Sequence, residues 1–306
     1  MSTNLAEEIL TQFPIRKKGS EKTAFLEWAS RRLKEWGWDC RIEKNGRTGQ
    51  RNLVAGNPET AVLLLVAHYD TPARKLLPDM IILNPVWFAV YQLLNIAVLL
   101  ILPVTVFILI WQLTANAIAA FWAFLLCYIG LLLLQIRGPG NRHNKNASSG
   151  LLTLMEIARA LPPEDRRKVA LLFTDSGECG HLGGKAWSEA HQKEQFTRLT
   201  VELGTIGVGE SLHFISTALC RKCIGYGALK RMIEEEQGML HDAKGLPLGG
   251  DYRQFKCGAQ MLYTRKNRMI GYFVPFLHTP ADTKLDEKNL ERVAGMMTEM
   301  IRNLGK

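Results

Sequence analysis

The most conspicuous pattern along the chain is an uncharged apolar stretch near its middle. Residues 80–136 contain no Asp, Glu, Lys or Arg. Because about 20 apolar residues cross the hydrocarbon core of a bilayer, this stretch has room for two membrane-spanning helices and a tight turn. We place the helices at about 86–110 and 116–136. A helical hairpin buried in a soluble protein is the disfavoured alternative, because soluble cores rarely run so far without a charge.

Positive charges flank this apolar stretch on both sides. Arg74 and Lys75 precede it and Arg137 follows it, whereas the short link between the predicted helices is uncharged. The positive-inside rule therefore places both flanks, and both termini with them, in the cytoplasm. We expect a cell-membrane protein with two spans and a cytoplasmic soluble part.

Outside this stretch, short apolar runs alternate with amphipathic segments. The segment at 61–68 is continuously apolar up to its last residue, which predicts a strand buried on both faces, and the segment at 168–176 predicts another buried strand. Further strands are predicted at 52–57, 199–207, 211–217 and 259–266, and helices at 5–13, 21–36, 149–161, 227–237 and 286–305. Strands that alternate with helices predict an α/β fold, with a mostly parallel (mixed) sheet flanked by helices on both faces.

These patterns divide the chain into two parts. We expect residues 1–79 and 137–306 to form one discontinuous α/β domain, and residues 80–136 to form an inserted transmembrane hairpin. The net charge is +9, but the basic residues are scattered and form no nucleic-acid motif. We therefore expect a lipid bilayer and no nucleic acid as partner. The six cysteines lack a secretory spacing, and this favours a reducing compartment.

Candidate chemistry gathers where the predicted strands end. His68 and Asp70 follow the first buried strand, Glu178 follows the second, and His278 lies in the segment LHTPADT. In sheets of this kind, ligands bind outside the carboxyl ends of the strands. Each of these residues alone is more often structural, so it is their combination that predicts a site.

In combination, the segments resemble the zinc aminopeptidases of metallopeptidase family twenty-eight, which are relatives of the glutaminyl cyclases. The resemblance is carried, in the expected order, by LLLVAHYDTP, NASSGLLTLMEIARAL, VALLFTDSGECGHLGGKAW, VELGTIG, GGDYRQFKCG and LHTPADT. It implies a zinc-aminopeptidase-like fold with two zinc ions bridged by an Asp. It also implies a Glu that acts as general base on metal-bound water.

Three of the metal ligands that the resemblance implies are present. They are His68, Glu178 and His278. Asp70 takes the place of the carboxylate that orients the imidazole of His68.

At the remaining site positions that the resemblance implies, this chain has a different residue, and we call these positions degenerate. The bridging Asp falls on Asn146, a weak ligand because a neutral amide adds no charge between two dications. An alignment with one extra serine places Lys145 there instead. The last ligand Asp falls on Gly204, and the general-base Glu falls on Gly177. This set implies one weakly held zinc ion or none.

Other residues near these positions suggest substitutes. Glu202 and Asp175 each lie two residues before a degenerate glycine and on its face of the strand, although turn or surface hydrogen bonds are the favoured explanation of both. Asp251 and Tyr252 belong to GGDYRQF, which resembles the family's loop beside the substrate pocket, and we expect them to line the pocket.

Several conspicuous residues carry no role in the resemblance. Cys179 and His181 suggest a thiol–imidazole pair, but they lie outside the family's functional positions, so we interpret them as loop residues. Cys220 and Cys223 form a single C-x-x-C, which is too little for a zinc ribbon or a redox assignment.

Two hypotheses about function follow. The favoured one is a catalytically impaired, pseudoenzyme-like aminopeptidase homologue that binds a peptide or membrane-protein partner. The alternative is an active single-metal zinc aminopeptidase or amidase. The hairpin interrupts the chain between Asp70 and Asn146, so in either case we expect the pocket to lie close to the inner membrane surface.

Overall fold

The computed structural model describes residues 5–192 and 198–304. In this part of the chain, ten strands form one mixed sheet and eight α-helices accompany it. The strands are β1 (Cys40–Asn45), β2 (Gln50–Ala55), β3 (Leu63–His68), β4 (Asp79–Ile82), β5 (Val169–Thr174), β6 (Leu199–Leu203), β7 (Ser211–Ser216), β8 (Met239–Asp242), β9 (Gly258–Asn267) and β10 (Gly271–Leu277). The helices are α1 (Leu5–Gln12), α2 (Gly19–Glu35), α3 (Pro85–Thr114), α4 (Ala117–Arg137), α5 (Ser149–Ala160), α6 (Leu182–Ala190), α7 (Tyr226–Glu235) and α8 (Glu287–Asn303).

The sheet has a parallel centre and antiparallel margins. Its strand order is β1-β2-β5-β3-β6-β9-β10-β4, and β7 pairs with β9 and β8. The neighbours β5, β3, β6 and β9 run parallel to one another, so their carboxyl ends meet at one edge. The pairs that β1, β2, β10 and β4 form are antiparallel. The predicted mixed α/β fold is thus confirmed.

Both faces of the central strands are buried, as their unbroken apolar sequence predicts. Along β3, Leu63 and Leu65 belong to the large core that packs against α1, α2, α5 and α8. Leu64 and Val66 point to the other face, where they pack with Trp187 of α6. Each fully buried Leu or Val stabilises the fold by about 1.5–3 kcal/mol relative to an exposed one. Helices on both faces therefore fix the position of the strand ends.

The uncharged stretch forms a helical hairpin from α3 and α4, as predicted. An asparagine precedes and caps each helix. The side chains of Asn84 and Asn116 accept hydrogen bonds from backbone N–H groups of the first turns. Pro103 lies inside α3. Both helices are long and apolar enough to cross a membrane, and very little of either is buried inside the protein.

A short strand joins the hairpin to the sheet. This strand, β4, pairs with β10, so the predicted domain boundary at residue 80 falls inside it. The sequence pattern did not predict β4, nor did it predict β1, β8, β10 or α6. In β10 the pattern is broken by Pro275 and by an irregular register between Val274 and Leu277. The last residue of the predicted closing helix, residue 305, lies outside the described residues.

Candidate functional site

Three of the predicted site residues meet at the carboxyl edge of the sheet. His68 is the last residue of β3, Glu178 lies in a single 3-10 turn just after β5, and His278 directly follows β10. Glu178 Oε1 lies 3.2 Å from Nε2 of His278 and 3.9 Å from Nε2 of His68. The fold therefore brings one carboxylate between two imidazoles.

Each imidazole has a further carboxylate at its Nδ1 atom. Nδ1 of His68 lies 3.5 Å from Oδ1 of Asp70, and Nδ1 of His278 lies 2.6 Å from Oδ2 of Asp79. Asp70 also accepts hydrogen bonds from the backbone N–H groups of Gly177 (2.8 Å) and Glu178 (3.3 Å). The orienting role predicted for Asp70 thus has a matching geometry, whereas Asp79 is a site residue that the sequence did not reveal.

The charges in this cluster stabilise one another. Burial alone would lower the pKa of His68, but the hydrogen bond to Asp70 and the charge of Glu178 raise that pKa to about 10. Burial alone would also lower the pKa of His278, but the charge of Glu178 and the hydrogen bond to Asp79 raise that pKa to about 9. Burial raises the pKa of Glu178, but the charges of the two imidazoles outweigh it and hold this pKa below its ordinary value.

The glycine at the general-base position leaves no space for a side chain. A Cβ atom at Gly177 would lie 2.5 Å from Cγ of His68. Real Cβ atoms do not approach other atoms so closely. A side chain at this position would displace His68 from its place beside Glu178. Residue 177, where the resemblance places the base, therefore has no room for a side chain while His68 keeps its position.

The other two degenerate positions do not complete a metal site. A Cβ atom at Gly204 would lie 3.1 Å from Nε2 of Gln260, so this amide covers the position. Asn146 lines a neighbouring cavity, whereas His68, Glu178 and His278 line the site cavity. Within the described ranges, no group of three or more His, Cys, Asp or Glu side chains is arranged to hold a metal ion. The residues present do not fit a zinc pair.

A second group of titratable side chains lies beside the first. Glu202, in β6, is buried, and its Oε2 accepts a hydrogen bond from the backbone N–H of Tyr252 (2.9 Å). Burial and the charge of Asp251 raise the pKa of Glu202 to about 7. His181 lies with its Nδ1 3.4 Å from Oδ1 of Asp251. This group adds a proton acceptor of near-neutral pKa to the site.

The two groups share one cavity of about 370 Å³. Its polar lining residues include Glu178, Glu202, His68, His181 and His278. Its lining also includes Met80 and Ile81 of β4 and Phe88 and Gln92 of α3. The hydroxyl of Tyr91, in α3, donates a hydrogen bond to the backbone oxygen of Pro78. The first hairpin helix therefore supplies part of the cavity wall.

Comparisons with known proteins agree with this geometry. The model of peptidase family M28 matches residues 145–301. The chain belongs to peptidase family M28. Among curated proteins no match was found.

Solved structures share the M28 fold along almost the whole chain. A Zn-dependent exopeptidase from Parabacteroides distasonis is 14% identical, with a TM-score of 0.60, and the match covers 98% of this chain and 97% of that one. A glutaminyl cyclase from Bacteroides thetaiotaomicron is 16% identical, with a TM-score of 0.59 and coverages of 98% and 96%. A leucine aminopeptidase precursor from the same organism is 16% identical, with a TM-score of 0.57 and coverages of 98% and 95%. At these identities the likeness shows the fold alone.

Some residues of this M28 chain lie elsewhere than the sequence suggested. Tyr252 and Asp251 are fully buried behind the cavity wall, because the hydroxyl of Tyr252 donates to the backbone oxygen of Leu248 (3.3 Å) and Asp251 accepts from the hydroxyl of Thr174. The backbone N–H of Tyr252 donates to Glu202, which does line the cavity. His181 lines the cavity although we interpreted it as a loop residue.

The remaining candidates have local roles in the M28 fold. Asp175 forms an ion pair with Lys22 (2.5 Å), away from the cavity. Cys179 is exposed, and Cys220 and Cys223 are buried free thiols. Burial raises the pKa of Cys220 to about 11, which keeps it protonated and unreactive at neutral pH.

Proposed function

We propose that this protein is a membrane-anchored M28 homologue that binds the amino end of a peptide and has lost efficient hydrolysis. The observation that carries the proposal is the contact at Gly177. Because His68 occupies the space that a base would need, no side chain at this position takes a proton from water. General acid–base catalysis contributes about 10²–10⁴-fold to such reactions. We expect hydrolysis to fall by at least that factor.

The part of the cavity around Glu202 suits an ammonium group. Glu202 lines it, and Oε1 of Gln260 is buried without a hydrogen-bond partner within the described part of the chain. Both are acceptors, and an ammonium carries three N–H donors. A buried acceptor without a partner costs about 1–3 kcal/mol, which a bound donor would recover.

The apolar part of the cavity lining suits an apolar residue next to that ammonium. Met80, Ile81 and Phe88 form a wall of aliphatic and aromatic atoms. A ligand with a charged amine and an adjacent apolar side chain satisfies both parts at once. The amino end of a peptide has this chemistry.

The membrane anchor determines where such a ligand would come from. Phe88 and Gln92 belong to the helix that we propose to cross the bilayer, so the cavity would open close to the membrane surface. With the flanking charges of Arg74, Lys75 and Arg137 on the inner side, this surface would be cytoplasmic. We propose the cytosolic tail of a membrane protein, or a peptide released there, as the partner.

A binding experiment tests this proposal on the full chain in lipid nanodiscs. A peptide with an apolar first residue and a fluorophore at its carboxyl end is titrated with the protein, once with a free and once with an acetylated amino end. We expect binding of the free form only, weakened about tenfold or more by Glu202→Gln. Glu299→Gln, at an exposed residue of α8, is the matched control. Equal binding of the acetylated peptide would contradict the proposal.

A single-metal hydrolase is the second candidate. It is supported by the approach of both imidazole Nε2 atoms to one oxygen of Glu178, at 3.2 and 3.9 Å. Elemental analysis of the purified protein distinguishes the two candidates. Near-stoichiometric zinc that is lost in Glu178→Gln would favour the hydrolase, whereas wild type and variant with equally little zinc would favour the binding protein.

A further inference from the structure

A second cavity lies next to the first, on the other side of the segment that carries Asn146. Its volume is about 270 Å³, and Pro275 and Phe276 of β10 line it together with Asn146 and Arg265. Ala147, Leu277 and His278 line the site cavity instead. Neighbouring residues of the two segments therefore face two different spaces.

Asn146 is the least satisfied polar side chain in this region. It is 2% exposed, and both its amide nitrogen and its amide oxygen lack a hydrogen-bond partner within the described residues. Its backbone N–H is occupied, because it donates to Oδ1 of Asp282 (2.8 Å). A buried amide that makes no hydrogen bond costs free energy unless a ligand supplies one donor and one acceptor. A peptide group presents this pair of groups.

Two cations border the same cavity. The half-buried Arg265, near the end of β9, and the exposed Lys284 both line it, and neither side chain forms an ion pair within the part of the chain that the structure describes. Asp282 lines it as well, but its second carboxylate oxygen accepts from the backbone N–H of Ala147 (3.1 Å), so both its oxygens are occupied. The cavity thus combines unpaired positive charge with an unsatisfied amide, which suits a carboxylate.

The backbone of β10 is distorted where it borders the cavity. The register of β10 against β4 shifts between Val274 and Leu277, and Phe276 adopts a positive φ of 59°. A non-glycine residue in this region costs about 1–3 kcal/mol, and such strain clusters at ligand sites. Phe276 lines the cavity, where its ring would cover the apolar part of a ligand.

We propose that Asn146, Arg265 and Lys284 bind an organic carboxylate that carries a neighbouring amide, as an N-acyl amino acid or the carboxyl end of a peptide does. Arg265 and Lys284 hold the carboxylate, Asn146 pairs with the amide, and Phe276 packs on the side chain. This site is separate from the amine site proposed above and does not depend on it.

Calorimetric titration of the full-length protein in detergent micelles tests this proposal. The probes are N-acetylphenylalanine, N-acetylphenylalaninamide, which lacks the carboxylate, and inorganic phosphate. We expect saturable binding of N-acetylphenylalanine alone. Arg265→Gln should weaken it by about tenfold or more, since hydrogen bonds to charged groups contribute about 1.5–3 kcal/mol. Asn146→Ala should weaken it less, and Arg265→Lys should retain part of it.

A matched control guards against general charge effects. Arg268 lies in the exposed turn between β9 and β10, and Arg268→Gln removes the same charge without touching the cavity. We expect it to bind as the wild type does. Equal binding of the amide probe, stronger binding of phosphate, or equal losses in Arg265→Gln and Arg268→Gln would each overturn the proposal. A thermal melt confirms that every variant is folded. A tripeptide with a free carboxyl end is then compared with the same tripeptide whose carboxyl end is blocked. Binding of the first alone shows that the site accepts a peptide end as well as an N-acyl amino acid.

Discussion

Oδ2 of Asp79 lies 2.6 Å from Nδ1 of His278. Asp79 is the first residue of β4, the strand that leads into the hairpin, and His278 belongs to the candidate site. Asp79 also forms an ion pair with Lys75, one of the basic residues that flank the hairpin. Asp79 therefore links the segment that leads into the hairpin to a site histidine.

The first prediction concerns this contact. Replacing Asp79 by Asn removes the charge that helps to raise the pKa of His278, which is about 9 in the wild type. We expect the pKa of His278 to fall by about one unit or more in chelator-treated protein. NMR titration of isotopically labelled histidine measures it. Asp242→Asn, which removes an exposed carboxylate that pairs with Arg221, should leave it unchanged. An unaltered pKa in Asp79→Asn would contradict the assigned contact.

The second prediction concerns the crowding at Gly177. Gly177→Ala places a Cβ atom 2.5 Å from Cγ of His68, so we expect a loss of stability of about 1–3 kcal/mol. Gly295→Ala is the control, because a Cβ atom there meets nothing within 4 Å and alanine favours helix α8. Thermal unfolding of both variants in detergent makes the comparison. If Gly177→Ala melted as the wild type does, the space for a base would be open after all.

Part of this structure follows from the sequence because it rests on local patterns. The continuous apolar runs of β3 and β5 predict buried strands, and the uncharged stretch predicts the hairpin. The order of segments also predicts that His68, Glu178 and His278 lie at one edge of the sheet. These predictions need only the period of a strand, the length of a span and the chain order.

Other parts depend on contacts between residues that are far apart in the sequence. Asp79 is the partner of His278 only because a four-residue edge strand, too short for a periodic pattern, pairs with β10. His181 lies beside Asp251, and no local sequence pattern predicts a contact between residues so far apart in the chain. His68 fills the space beside Gly177 because of the way the two segments pack. A glycine in the sequence does not indicate whether the space beside it is filled.

The third prediction concerns pH and the pair formed by the buried His213 and the half-buried His241. Nδ1 of His213 lies 2.8 Å from Nε2 of His241, and Thr264 contacts its other ring nitrogen. Burial, and then the charge of His241, lower the pKa of His213 from 6.5 to about 3. The unfolded chain therefore binds this proton first, so stability falls as the pH drops from about 6.5 toward 3.

Chemical unfolding at several pH values measures the effect. We expect this residue to contribute a slope of about 1.4 kcal/mol per pH unit within that window. His213→Gln should flatten the profile, whereas His143→Gln, at an exposed residue, should not. A profile that His213→Gln leaves unaltered would show that the pair does not titrate as described.

The fourth prediction concerns topology. Thr114 lies at the end of α3, beside the link between the two apolar helices, and Cys179 is exposed on the α/β part. In intact cells, a membrane-impermeant maleimide should label Thr114→Cys but reach Cys179 only after permeabilisation. Cys179→Ser supplies the background. Labelling of Cys179 in intact cells would place the α/β part outside and refute the proposed orientation.

The loss of efficient peptide hydrolysis by this M28 fold is our main proposal. Its most direct test is the hydrolysis rate of an aminoacyl-arylamide by the full-length protein with zinc supplied, compared with that of Glu178→Gln. We expect both proteins to hydrolyse the substrate at the same background rate, because residue 177 provides no base. A wild-type rate about 100-fold or more above that of the variant, the scale of general acid–base catalysis, would contradict it.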